Sequence, residues 1–181
     1  MSDVISKGKI EELKGIKGQA RGAAFKSPFK FVLKREGRKG VELVEKTMKE
    51  LGCPLKHKEL STMRFYPIHL CLILQAVIQG LFGYGDEEFE EMGRFNSKNS
   101  MVMRLFTKYF ASLENVVGKT PRAWRMYFSA GTLEVVELNR EGRYVRARLK
   151  ESPFPPLYCP IVKGFFSSVL QMIVNETVSS E

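Results

Sequence analysis

The chain has 181 residues, 44% hydrophobic and 27% charged, a composition that excludes a disordered polyelectrolyte and supports one folded domain with a substantial core. Three cysteines, Cys53, Cys71 and Cys159, with no CxxC pair, argue against a disulfide framework and a zinc knuckle. The net charge of +9 is uneven: residues 1–60 hold 15 Lys and Arg against 8 Asp and Glu, whereas residues 61–181 hold 14 against 12.

The N-terminal stretch MSDVISKGKIEELKGIKG is charged and has no apolar signal-peptide core, which predicts a cytoplasmic protein. Residues 1–20 read as a basic segment able to fray, and residues 21–181 as a single domain. Ser27-Pro28 reads as an N-cap followed by proline, opening a short helix that ends at Gly37. In RKGVELVEKTMKELGCP, Val41, Val44, Met48 and Leu51 recur at spacings of three and four before Gly52 and Pro54, the pattern of an amphipathic helix.

Tyr66-Pro67 then starts the most apolar helix of the chain, which Gly80 or Gly83 should close. Its polar positions, His69, Gln75 and Gln79, favour a buried helix over a membrane span. At about 100° per residue, His69 falls with Ile73, Ala76 and Gly80, a face with two small residues that can form a close helix contact or one wall of a pocket. Cys71 lies about 160° away from His69 on the same wheel, and Gln75 and Gln79 point towards water. GDEEFEEMGRF follows as a helix with Asp86 as N-cap and glutamates where the helix dipole favours them. That acidic cluster lacks the alternating oxygen ligands of a calcium loop, and no metal site is expected.

NSMVMRLFTKYFASL, residues 99–113, carries a Met- and Phe-rich apolar face, and Thr120-Pro121 opens a further short helix. The period then changes. Leu133, Val135, Val136 and Leu138, the turn Asn139-Arg140-Glu141-Gly142, and Tyr144, Val145, Ala147 and Leu149 spell a β-hairpin with its arginines in solvent. A Pro-rich connector leads to an apolar helix from Pro160. The expected fold is α+β: a helical shell packed on a small antiparallel sheet, with a late β-hairpin and a C-terminal helix.

With that order in hand, GAAFKSPFKFVLKREGRKGVELV, RFYPIHLCLILQAVIQGLFGYGDEEFEEMGRF and MYFSAGTLEVVEL resemble an uncharacterised bacterial family. Its members carry an aromatic-Tyr-Pro helix start, a Gly-Asp before an acidic helix and a Gly opening a late hairpin. The family is similar in layout to the superfamily of heme nitric-oxide-binding domains, 4-vinyl reductase domains and the acyl-binding subunits of the vesicle-tethering particle, over roughly residues 22–175. This resemblance implies an apolar ligand cavity and a homodimer. The heme-binding branch has a Tyr-x-Ser-x-Arg signature, and here YFSAG places Gly131 at the arginine position, which argues against heme. The acyl-binding branch makes Cys71 or Cys159 an acyl or ligand position, with a buried lipid as one occupant.

The resulting expectation is a non-enzymatic sensory or scaffolding domain. It would bind a small apolar ligand, or a protein partner, near His69, Ile73, Ala76 and Gly80, with Cys71 and Cys159 as further ligand positions. The alternative is a basic interaction module that docks its N-terminal third on nucleic acid or an acidic partner around a purely structural core. The basic residues lack the interleaved aromatics of a stacking platform, which disfavours nucleic acid. An enzyme using Cys159 or His69 ranks last, because no activating partner can be named.

Overall fold

A computed structural model of the chain describes residues 6–99, 113–139, 141–142 and 144–178. In order these form α1 (Lys7–Lys14), β1 (Gln19–Arg21), α2 (Ala23–Glu50), β2 (Phe65–Pro67), α3 (Ile68–Phe82), α4 (Asp86–Lys98), α5 (Leu113–Tyr127), β3 (Thr132–Asn139), β4 (Tyr144–Lys150) and α6 (Cys159–Val178). The fold is α+β, with β1 paired antiparallel to β2 and β3 to β4. No helix among the described residues is long and apolar enough to cross a membrane.

From Lys7 onward the N-terminal segment packs against the rest of the fold. Ser6 caps α1 through its hydroxyl, and Ile10 and Leu13 are buried in the core. The chain then enters β1, whose Ala20 faces Tyr66 of β2 and bridges Phe128 on the other side. Gln19 fixes the second contact twice, its N–H donating to Ser129 Oγ at 2.8 Å and its carbonyl accepting from Ser129 N at 2.9 Å.

The helix expected to open at Ser27 begins earlier, at Ala23, because its first N–H groups find partners outside the helix. Gly22 and Ala23 donate to the carbonyls of Arg64 and Thr62 at 2.7 and 3.1 Å. A Cβ on Gly22 would lie 1.9 Å from the Ser61 carbonyl oxygen, so only glycine fits. Pro28 thus sits inside α2 and has no N–H for the carbonyl of Ala24, four residues back. The Cys71 thiol of α3 donates to that oxygen across 3.8 Å. Gly37 is where the expected break occurs: at φ 73° it kinks a helix that otherwise runs on to Glu50. Beyond the kink, Val41, Val44 and Met48 are buried, as their spacing predicts, and Leu51 is half-buried.

α3 is the central element. It opens after Pro67 and closes at Gly83 in the left-handed region, both as expected. Every residue from Cys71 to Ile78 is buried, so no side of the helix over this stretch is a water face. This corrects the reading of Gln75 as solvent-facing: it is 1% exposed, because helices enclose α3 where a wheel alone would leave one side wet.

α4 is capped by Gly85, one residue before the expected Asp86, and the Glu88 carboxylate accepts the Gly85 N–H at 2.8 Å. It crosses α6 at unusually close range. A Cβ on Gly93 would stand 2.1 Å from the Ile161 carbonyl oxygen, and one on Gly164 would stand 2.0 Å from that of Glu90. Glu90 also accepts from Lys163 at 2.8 Å and from Arg94 at 2.6 Å, tying the two helices beside the crossing.

The helix expected over 99–113 falls, for residues 100–112, outside the described residues. α5 spans Leu113–Tyr127 and so contains the expected Thr120-Pro121 start, with Thr120 buried and Pro121 inside the helix. The hairpin and the C-terminal helix form as predicted. Glu137 pairs with Arg146 at 3.1 Å and Glu134 with Lys150 at 2.8 Å on the hairpin, while Leu133 is buried in the core.

Candidate functional site

A cavity of about 350 Å3 lies among α2, α3, α4, α5 and α6. One wall is aromatic: Trp124 and Phe128 of α5 and its end, with Tyr158 just before α6. Their ring centroids, together with Phe154 behind them, lie 4.6–6.1 Å apart, in tilted and edge-on contacts. Trp124 is held by its indole N–H, which donates to the Ala130 carbonyl at 3.1 Å. Ile161, Phe165 and Val169 of α6 add further apolar lining, and the lining residues Met63 and Met126 are exposed.

Among the described residues, Gln75 Oε1, Asn96 Oδ1 and Arg21 Nε of this lining are buried without a hydrogen-bond partner. Gln75 is the most deeply placed. An unpaired buried carboxamide oxygen costs about 1–3 kcal/mol. Gln75 thus places an enclosed carboxamide in the lining of the cavity.

The residues singled out from sequence lie elsewhere. Ile73 and Ala76 are core residues, His69 and Gly80 are half-buried, and Cys159 is exposed. None of these five lines the cavity, and neither does Cys71. Burial, followed by the nearby Lys14 charge, lowers the His69 pKa below its ordinary 6.5, so its imidazole is neutral at neutral pH. Gly131, at the position where a propionate-clamping arginine would stand, has φ 72° and turns the chain into the hairpin.

Cys71 sits directly behind the cavity wall. Its sulfur is 3.7 Å from the Tyr158 hydroxyl and 3.8 Å from the Ala24 carbonyl, and both Tyr158 and Ala24 line the cavity. With the thiol donating to Ala24, the phenol donates to the sulfur. Burial pushes the Cys71 pKa up to about 12, and that of Tyr158 well above its usual value, so neither group ionises near neutral pH. The thiol links two wall elements and is held in its protonated form by burial. Titration with a disulfide reagent should therefore modify one thiol per native chain, the exposed Cys159, and reach Cys53 and Cys71 only in denaturant. Rapid native labelling at position 71 would contradict this arrangement.

Sequence reasoning passed over Gln75, Arg21 and Trp124. A signal for Gln75 was present: a carboxamide inside the run CLILQAVI carries a desolvation penalty that calls for a partner. No group of three or more His, Cys, Asp or Glu able to hold a metal ion occurs among the described residues. No protein family, curated protein or solved structure matches the chain.

Proposed function

We propose that this protein is a non-enzymatic sensory or scaffolding domain whose inter-helix cavity takes a small, largely apolar molecule. The observation that carries the reading is Gln75: a carboxamide 1% exposed, with its oxygen unpaired among the described residues, in the lining of a cavity whose walls include Trp124, Phe128, Ile161, Phe165 and Val169. The volume of about 350 Å3 falls at the small end of the range of ligand pockets, about 300–1,000 Å3. A few polar anchors in an apolar lining is the usual chemistry of such sites. The layout implied by the resemblance to the heme nitric-oxide-binding and 4-vinyl reductase superfamily is consistent with this reading, and a cytoplasmic homodimer belongs to the same proposal.

Trp124 is the chain's single tryptophan and stands in the cavity wall, so its fluorescence reports occupancy without a label. Titration with a neutral apolar probe, N-phenyl-1-naphthylamine, should give saturable energy transfer from Trp124 at one probe per chain. Filling the space by Val169→Phe or Ala123→Phe should abolish it while the circular dichroism spectrum stays native. Probe binding that both folded variants retain would refute the cavity as the site.

A further inference from the structure

We infer that the cavity's ligand is an apolar monocarboxylate whose acid group is held by Arg21, with Lys26 and Lys30 beside it. This rests on the cavity reading above and adds the charge and size of what enters.

The cavity lining is electrostatically one-sided. Arg21, Lys26 and Lys30 contribute three cationic side chains, and no Asp or Glu is among the described lining residues. None of the three makes an ion pair with a described carboxylate, whereas Arg35, Arg94, Arg146, Lys150 and Lys163 all do. Arg21 is the most committed of the cations. Its guanidinium rests 4.9 Å from the Phe65 ring centroid, with Nη1 3.9 Å from the Met63 sulfur. Its Nε is buried with no acceptor among the described residues. A guanidinium presents donors in a planar fork that fits a carboxylate, and Arg21 lines the cavity with no described carboxylate to pair with. Strand pairing sets the Arg21 Cα opposite Phe65, the ring on which its guanidinium rests.

The apolar lining defines the rest of the molecule. Trp124, Phe128 and Phe165 offer only apolar surface to the ligand body, and Gln75 supplies one neutral hydrogen-bonding group within the apolar region. A space of about 350 Å3 lies at the small end of ligand pockets, about 300–1,000 Å3, and suits a small ligand. Decanoate and 4-phenylbutyrate are both small acids, with an alkyl and an aryl body respectively.

The test compares each acid with the alcohol of the same skeleton, 1-decanol and 4-phenylbutanol, by Trp124 fluorescence. A charge-assisted contact to a partly buried guanidinium should make at least one acid bind about tenfold more tightly than its alcohol. The preferred pair tells an alkyl from an aryl body. Arg21→Gln should collapse the acid-to-alcohol ratio towards one, and Lys26→Gln should reduce it, while Lys39→Gln, on the exposed face of α2 away from the cavity, should leave it intact. Acids and alcohols binding alike would overturn the carboxylate assignment and leave the cavity reading standing. Failure of all four to bind would overturn both. Should Arg21→Gln not fold, the acid-to-alcohol ratio of the native chain and of Lys26→Gln still decides the matter.

Discussion

Gly93→Ala should cost about 3 kcal/mol of stability or more, and Gly164→Ala should cost as much. A methyl group on either glycine would stand near 2 Å from a backbone carbonyl oxygen of the facing helix, 2.1 Å at Gly93 and 2.0 Å at Gly164. Ordinary overpacking costs about 1–3 kcal/mol because flexible side chains can move aside. Here the obstacle is main chain, with the Phe165 nitrogen a further 2.7 Å contact at Gly93, so relief requires separating α4 from α6. Gly118 gives the matched comparison. It lies exposed in α5 with nothing near its missing Cβ, so Gly118→Ala should stabilise by about 0.5–1 kcal/mol through helix propensity. Urea unfolding of the three variants checks both signs. A loss under 1 kcal/mol at both positions 93 and 164 would mean that the crossing is looser than described.

Trp124→Ala should remove about 3–5 kcal/mol, the usual cost of truncating a buried aromatic. The indole is 5% exposed, packs against Phe128 and Phe154 at 4.6 and 5.5 Å, and closes the turn at Ala130 with its N–H. The loss is a large fraction of a typical domain stability of about 5–15 kcal/mol and corresponds to a melting-temperature drop of roughly 10 °C. Trp124→Phe keeps much of the packing but leaves the Ala130 carbonyl without this donor, and should cost about half as much. Thermal unfolding followed by far-ultraviolet circular dichroism distinguishes the two variants. Equal losses would assign the stabilisation to the hydrogen bond instead of to the ring stack.

The elements legible in the sequence are those whose signals are local. Pro67 and Gly83 bracket α3, the three-and-four spacing of Val41, Val44 and Met48 marks the second half of α2, and the period-two runs around Asn139 to Gly142 mark the hairpin. β1 and β2 went unread because three-residue strands carry no usable periodicity. Their existence depends on pairing between Gln19–Arg21 and Phe65–Pro67, far apart in the chain. The start of α2 was misplaced for a similar reason: the partners of its first N–H groups, Thr62 and Arg64, lie some forty residues on. The candidate site was least legible of all. Its wall is assembled from five helices, and the wheel that drew attention to His69 describes one helix in isolation, with no means of knowing that Gln75 on another face is also enclosed.

The α4–α6 crossing also bears on how freely the chain can change. Contact made through main-chain atoms is blind to the identity of most surrounding side chains, so it specifies two positions and leaves their neighbours open. In a library of this chain randomised along both helices and selected only for folding, Gly93 and Gly164 should survive together almost without exception. The exposed positions Glu91 and Ser167 beside them should drift.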